Sequence, residues 1–146
     1  MPLNSADRAA IEAVLTRQSA AWDAGNAGAF AADAQEGVLF TNVVGMFTTG
    51  RAPFVAQHEH IFSTIYKGSR MEQEIVAITL VRPDVAIVDT LTKVVDAPLR
   101  PPGVELIDGA LRSRLEQVMV KDGSEWKVAS FHNVAVNPAF APPLRS

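Results

Sequence analysis

Hydrophobic residues recur every three or four positions through the first part of the chain, which is the spacing of a helix with one buried side. Over residues 6–23, the side that would be buried carries Ile11, Val14, Leu15, Gln18 and Trp22. Ser5 is a suitable N-cap, the alanine-rich composition favours a helix, and Gly25 can end it. The pattern therefore predicts an amphipathic first helix over residues 6–23.

Two more helices are predicted in the first half of the chain. Asn26 can cap a short helix whose buried side holds Phe30. A longer helix is predicted after Gly50, because Pro53 falls in its first turn, where a missing N–H does no harm. This third helix is expected to run to about Lys67.

Runs of β-branched and aromatic residues mark the strands. The segment Val38–Val44 is one such run and lies between two glycines. Four longer strand-like runs follow it, at residues 71–81, 85–95, 111–121 and 126–136. The sequence KDGSE between the last two runs is a hairpin signal, and a proline-rich loop separates the middle pair.

The order of these elements predicts the fold class, because segregated helices and strands are typical of α+β folds. We expect three helices of the N-terminal half to pack on a strongly curved, mainly antiparallel sheet. One domain over residues 1–146 is expected, with a core over 6–136 and a proline-rich tail over 137–146. Where the helices do not fill the hollow under the sheet, a pocket would remain.

Composition narrows the possible partners and locations. The 146 residues are 48% hydrophobic and 20% charged, and they include no cysteine, which excludes disulfides and thiol nucleophiles. The net charge is −3 without a run of Lys or Arg, so a nucleic-acid partner is not expected. No apolar run reaches the roughly 18 residues of a membrane span, and the first residues do not resemble a signal peptide. A cytoplasmic protein without a membrane partner is the expectation.

The sequence HEHIF in the third helix contains the two candidate histidines for chemistry. At about 100° per residue, His58 lies in the middle of an apolar stripe that includes Phe54, Ile61 and Phe62. His60 points about 200° away, toward solvent. Two helical residues at this spacing do not face each other, so the pair is not expected to bind a metal ion.

His58 has two interpretations. It is either a core histidine with one hydrogen bond, or a group that lines a ligand cavity and can donate, accept or transfer a proton. A buried imidazole needs a polar partner in both cases.

Several loose motifs occur along the chain in a recognisable order. They are Phe40-x-Asn42 with Gly45, Gly50-Arg51, His58-x-x-Ile-Phe62, Tyr66-Lys-Gly-Ser-Arg70 and Trp126-Lys-Val-Ala-Ser-Phe-His132-Asn133. Through them the chain, from residue 6 to about residue 135, resembles the SnoaL-like, NTF2-like superfamily. More narrowly, it is similar to the SgcJ/EcaC-type, or DUF4440-like, branch of that superfamily.

The resemblance implies a cystatin-like cone with a pocket between helices and sheet, and a homodimer formed through the sheet. Enzymes of the superfamily include steroid isomerases, dehydratases and polyketide cyclases. They place an Asp or His base and an oxyanion-stabilising donor in an apolar pocket. Some members of the branch carry an oxidoreductase label, but no GxGxxG follows a strand here, so we expect no nicotinamide, flavin or other cofactor.

The residues expected at the pocket are mostly apolar. Its wall would be formed by residues that are otherwise plain core, namely Trp22, Phe30, Phe40, Met46, Phe54 and Phe62. Asn42, a poor strand former among valines, is a candidate polar group of the cavity. The resemblance favours His132 as a pocket or rim group, and a structural hydrogen bond at the sheet edge is the alternative.

Four charged residues of the predicted strands have open positions. Asp89, the one acid in an apolar strand, faces the cavity, a dimer interface or solvent. Arg112, Arg114 and Glu116 alternate on one face of the next strand, which would meet solvent or a symmetric partner.

Three functions fit the sequence. The first is a cofactor-free isomerase, cyclase or dehydratase that acts on a hydrophobic small molecule with His58 as its acid or base. The second is a non-catalytic module that binds such a molecule in the same cavity. The third is a dimeric protein-interaction domain whose cavity is filled by side chains.

Overall fold

The computed structural model describes residues 2–140 and has the predicted α+β class. The three helices in this range are α1 (Ser5–Asp23), α2 (Ala27–Phe30) and α3 (Arg51–Ser63). The strands are β1 (Ala34–Thr41), β2 (Phe47–Thr49), β3 (Arg70–Arg82), β4 (Val85–Val95), β5 (Leu111–Asp122) and β6 (Glu125–Ala135). A short 3₁₀ helix, Pro138–Phe140, follows, and the rest of the predicted tail lies outside the described residues.

The strands form one mixed, mainly antiparallel sheet in the order β2-β1-β6-β5-β4-β3. The pair β1 and β6 is parallel, and every other neighbouring pair is antiparallel. β2 and β3 are edge strands, so the sheet is not closed. The long antiparallel succession from β3 to β6 is the one predicted from the alternating sequence pattern.

Alternation along the strands gives the sheet an inner face, which packs on the helices, and an outer face. In β4 the residues of the inner face are fully buried, and those of the outer face are half-buried. α1 contacts β3 and β6, and α3 contacts β1, so the helices cover the inner face on two sides. The inner face therefore holds the core and any hollow the helices leave.

The first helix is fixed by polar contacts at several points. Its N-cap is Asn4, one residue before the predicted Ser5, and the Asn4 side chain accepts a 2.7 Å hydrogen bond from the Asp7 N–H. The Asp7 carboxylate accepts hydrogen bonds from the Trp126 indole N–H at 3.1 Å and from Lys121 at 2.9 Å. The Gln18 side chain also exchanges two buried hydrogen bonds with the amide of Gln117 on β5. Together these contacts hold α1 against the sheet.

The third helix ends earlier than the predicted Lys67. The hydroxyls of Ser63 and Thr64 both donate to the His60 carbonyl, at 2.9 and 2.7 Å, and so compete with the backbone donors of the last turn. A turn follows in which the Tyr66 N–H bonds to the Ile61 carbonyl at 2.8 Å. The early end turns the chain inward at Tyr66, which is only 8% exposed.

The strand predicted at Val38–Val44 lies nearer the N-terminus than expected. β1 begins at Ala34 and ends at Thr41. Asn42 instead begins a turn, in which its side-chain oxygen accepts hydrogen bonds from the N–H groups of Val44 and Met46 at 3.1 and 2.9 Å. Asparagine favours such turns over a strand for this reason.

No helix within residues 2–140 is long and apolar enough to cross a membrane.

Candidate functional site

A cavity of about 580 Å³ lies between the inner face of the sheet and the helices. Its helix wall carries Trp22, Phe30, His58 and Ile61. Its sheet wall carries Phe40, Met71, Thr92, Val94, Leu111, Ser113, Leu115, Phe131 and Asn133. Its mouth is lined by Val43, Val44, Met46, Leu99, Pro101 and Pro102, with His60 and Thr64 on the helix side. The third helix and the sheet therefore leave a space large enough for a small organic molecule.

The described lining of the cavity contains no Asp, Glu, Lys or Arg. Its titratable groups are His58, His60 and Tyr66. Burial raises the pKa of the Tyr66 hydroxyl to about 12, so this group stays protonated at neutral pH. The wall is thus apolar apart from a few hydrogen-bonding groups, and its described residues include no carboxylate, ammonium or guanidinium group.

His58 is buried in the helix wall with 3% of its surface exposed. Its Nδ1 lies 2.7 Å from the Phe54 carbonyl oxygen. Because a carbonyl only accepts, Nδ1 carries the hydrogen and Nε2 holds the free lone pair. Nε2 has no hydrogen-bond partner within residues 2–140, and His58 is part of the cavity lining.

The surroundings of His58 keep the imidazole neutral. Its ring packs against Phe54, Phe30 and Phe40, with ring centroids 4.3, 4.8 and 5.2 Å away. Burial among these rings lowers the pKa of His58 to about 4, since the charged form would lose its water without gaining a counter-charge. At neutral pH the site therefore presents an unprotonated Nε2.

The structure places most of the predicted wall at the cavity and the rest behind it. Trp22, Phe30, Phe40, Met46 and Asn42 belong to the lining. Phe54 and Phe62 do not; they pack behind the lining and support it. The side-chain oxygen of Asn42 is used by its own turn, so only its NH₂ group remains for a ligand.

His132 was expected at the pocket, and the structure corrects this. Val118 pairs with Ser130 and Met119 with Val128, so Ala129 is left as a β-bulge in β6. A bulge reverses which face the following side chains occupy. His132 consequently lies exposed on the outer face, where it is paired in register with Glu116.

The same bulge turns Asn133 onto the inner face, opposite the buried Leu115. Asn133, rather than His132, therefore faces the helices. Thr92 and Ser113 also line the cavity, and sequence reasoning missed both. The alternation of β4 would have identified Thr92, because it shares the inner parity of the buried Val88 and Val94.

The four charged strand residues whose orientation the sequence left open all lie on the outer face of the sheet. Asp89, Glu116 and His132 form one cross-strand row there. Partial burial, and then the neighbouring Asp89 carboxyl, raise the pKa of Glu116. Arg112 and Arg114 lie on the same face of β5, so none of these charges reaches the cavity.

The residues that the structure describes contain no group of three or more His, Asp or Glu side chains that could hold a metal ion. The two histidines of HEHIF separate as their spacing predicts, with His58 buried and His60 exposed at the mouth of the cavity.

Comparison with known proteins identifies the fold. No protein-family profile matches the chain, and no curated protein matches it in sequence. A domain of unknown function with a cystatin-like fold from Nostoc punctiforme is 24% identical, with a TM-score of 0.79 over 92% of this chain and 80% of that one. An NTF-2 like protein of unknown function from Shewanella oneidensis is 16% identical, with a TM-score of 0.69 over 87% of this chain and 98% of that one.

A third similar structure is named for an activity. A ketosteroid isomerase-like protein from Erwinia carotovora atroseptica is 17% identical, with a TM-score of 0.70 over 93% of this chain and 100% of that one. These similarities confirm the predicted cystatin-like, NTF2-like fold. The narrower SgcJ/EcaC-type assignment stays a prediction.

Proposed function

From the cystatin-like, NTF2-like fold of this chain and the uncharged cavity under its sheet, we propose that the protein binds a neutral, hydrophobic, ring-containing small molecule. The observation that carries the proposal is the unpaired Nε2 of His58 in the wall of an otherwise apolar cavity. The ligand donates a hydrogen bond to Nε2, and its rings lie against the aromatic wall.

The absence of charge in the described lining supports a neutral ligand. An ion moved from water into this cavity would lose its hydration and meet no counter-charge. Burial of apolar ligand surface contributes roughly 25 cal/mol per Å². The ligand's affinity therefore comes from apolar contact, and its orientation comes from the few hydrogen-bonding groups.

Three matched biphenyls test this function by isothermal titration calorimetry. We expect para-phenylphenol to bind about tenfold more tightly than para-methoxybiphenyl, which cannot donate a hydrogen bond to His58. Biphenyl-para-carboxylate should bind at least about a hundredfold more weakly than the phenol, because its charge is unpaired in the cavity.

A variant pair connects this preference to His58. In His58→Phe the wall stays aromatic but the acceptor is lost, so the phenol should bind no more tightly than its methyl ether. Glu59→Gln, an exposed change on the same helix, should keep the full preference. Equal binding of phenol and ether by the wild type, or tightest binding of the carboxylate, would refute the proposal.

A second function is proton transfer on the bound molecule. It is favoured by the protonation states of His58 and Tyr66 at neutral pH. The unprotonated Nε2 of His58 can accept a proton from carbon, and the protonated Tyr66 hydroxyl can donate to the oxyanion that forms. The reaction would be an isomerisation, cyclisation or dehydration without a cofactor. The likeness to a ketosteroid isomerase-like protein supports this class.

The two functions are separated by hydrogen exchange. In deuterium oxide, a catalytic site would exchange the methyl hydrogens of bound para-acetylbiphenyl, and His58→Phe would not. Binding without exchange above the buffer rate would leave a non-catalytic binding module and exclude proton transfer to His58.

We further propose that two copies pair through the outer face of the sheet. This face carries half-buried aliphatic side chains at one end, Val85, Ile87, Val118 and Val120. Lys93, Arg112 and Arg114 lie toward the other end of β4 and β5, with Asp89 and Glu116 between. A two-fold rotation brings the arginines of one copy toward the acids of the other.

Analytical ultracentrifugation tests the pairing. We expect twice the chain mass of 15.7 kDa for the wild type, and a shift toward a single chain for Val118→Glu. Circular dichroism should show that the variant keeps its fold, since Val118 is on the outer face. A wild-type chain that sediments alone at high concentration would contradict the pairing.

A further inference from the structure

Three polar side chains form a stripe across the sheet wall of the cavity, one each from β4, β5 and β6. They are Thr92, Ser113 and Asn133, and all three line the cavity. Thr92 and Ser113 are direct cross-strand partners. Ser113 pairs with Ala135, so Asn133 is its diagonal neighbour on the inner face, within reach of the same ligand group.

Asn133 is the member of this stripe that has no protein partner. Its Oδ1 is buried and accepts no hydrogen bond from any residue within 2–140. Rotation of the side chain exchanges the amide oxygen and nitrogen, so either atom can face the cavity. A buried amide without a partner is unfavourable, and a leucine would continue the apolar surface of Leu111 and Leu115.

The other two members of the stripe, unlike Asn133, have hydrogen-bond partners in the sheet. The hydroxyls of Thr92 and Ser113 bond to each other, and the Thr92 hydroxyl also donates to the Ser113 carbonyl oxygen at 3.4 Å. Thr90, on the same face of β4, donates to the Leu115 carbonyl at 3.2 Å and is not part of the lining. The hydroxyls of Thr90, Thr92 and Ser113 are therefore satisfied by the sheet itself, whereas the Asn133 amide oxygen is not.

We propose that the stripe centred on Asn133 is a second polar subsite, on the wall opposite His58. This inference rests on the proposed function and specifies the ligand class. The ligand is a neutral ring compound with hydrogen-bonding groups at two separated positions. One group donates to Nε2 of His58 on the helix wall, and the other pairs with the Asn133 amide on the sheet wall.

Calorimetry with para-phenylphenol and a panel of biphenols that carry a second hydroxyl on the other ring tests this subsite. At least one biphenol should bind the wild type about tenfold more tightly than para-phenylphenol. In Asn133→Leu that gain should disappear while para-phenylphenol keeps its affinity. Thr90→Val, a change on the same wall but outside the lining, should keep the gain.

Thermal unfolding of the same variants gives a second readout. We expect Asn133→Leu to raise the Tm, because it removes an unpaired buried amide, whereas a structural asparagine would lower it. A Tm that falls in this variant would overturn the subsite. In the wild type, the tight biphenol should shift the Asn133 side-chain NH₂ signals in NMR spectra and para-phenylphenol should not.

The outcomes distinguish the two proposals. If para-phenylphenol binds and no biphenol binds more tightly, the subsite is refuted and the proposed function stands. If the Asn133 signals do not move with the tightest biphenol, the subsite is refuted even where the affinity rises. If no member of the series binds, the proposed function itself fails.

Discussion

Acidification from pH 6.5 to about pH 4 should lower the free energy of unfolding of the wild type by on the order of 3 kcal/mol more than that of His58→Phe. The difference arises because the folded protein holds His58 as a neutral imidazole and the unfolded chain does not. A buried histidine among phenylalanines must give up its proton to fold.

The sign follows from proton binding. The pKa of His58 is lowered from 6.5 to about 4 by burial, so between these values the unfolded chain binds the proton and the folded protein does not. Stability therefore rises with pH across this interval and is lost as the pH falls through it. Above pH 6.5 the imidazole is neutral in both states, and His58 contributes no pH dependence.

Two carboxyl groups with shifted pKa values, Asp7 and Glu116, also make the stability depend on pH. Their contributions cancel when the wild type is compared with the variant. The hydrogen bonds of Lys121 and Trp126 lower the pKa of Asp7 below its usual 3.8, so Asp7 acts at more acid pH than His58. The raised pKa of Glu116 acts in the opposite direction, since its carboxyl takes up a proton more readily when folded. Both groups remain in His58→Phe.

Urea denaturation monitored by circular dichroism at several pH values measures this difference. His60→Gln is the matched control, because it removes an exposed histidine of the same helix instead of the buried one. Parallel curves for the wild type and His58→Phe would show that His58 is charged or solvated in the folded state. That outcome would also remove the free acceptor on which the proposed function rests.

Local sequence signals predicted the long strands and the inward side of α3. The bounds of β4 coincide with the predicted 85–95, because strict alternation and the tight turn before Val85 are both local features. His58 lies among buried aromatic residues because helical spacing fixes its side relative to Phe54 and Phe62. These features needed no knowledge of distant contacts.

The errors at the site come from interruptions of regular geometry. One extra residue, Ala129, exchanged the faces of His132 and Asn133, and no parity count reveals a bulge. Asn42 lines the cavity as predicted, but from a turn that its own side chain stabilises and not from a strand. The size of the cavity was not predictable either, because the irregular loop after β4 contributes Leu99 and Pro101 to its lining.

The aromatic cluster behind the cavity gives the largest expected loss of stability. Phe54 is 0% exposed, and its ring lies 4.9 Å from that of Phe131 and 5.1 Å from that of Phe40. Phe54→Ala should lower the free energy of unfolding by about 3–5 kcal/mol, from the lost burial and the void left behind. A typical domain has only about 5–15 kcal/mol in total, so much of the stability would be lost.

The change also acts on the site, because Phe54 contacts His58 from behind at 4.3 Å between ring centroids. Removal of the ring would open space for water around the imidazole, so we expect the pKa of His58 to rise toward 6.5. Phe47→Ala is the matched control, since Phe47 is 60% exposed on the edge strand β2 and should change stability by less than about 1 kcal/mol. Urea denaturation measures the first effect, and NMR titration of the His58 ring measures the second. Equal stabilities for the two alanine variants would mean that Phe54 is not in the core, and the aromatic wall behind His58 would then be wrongly placed.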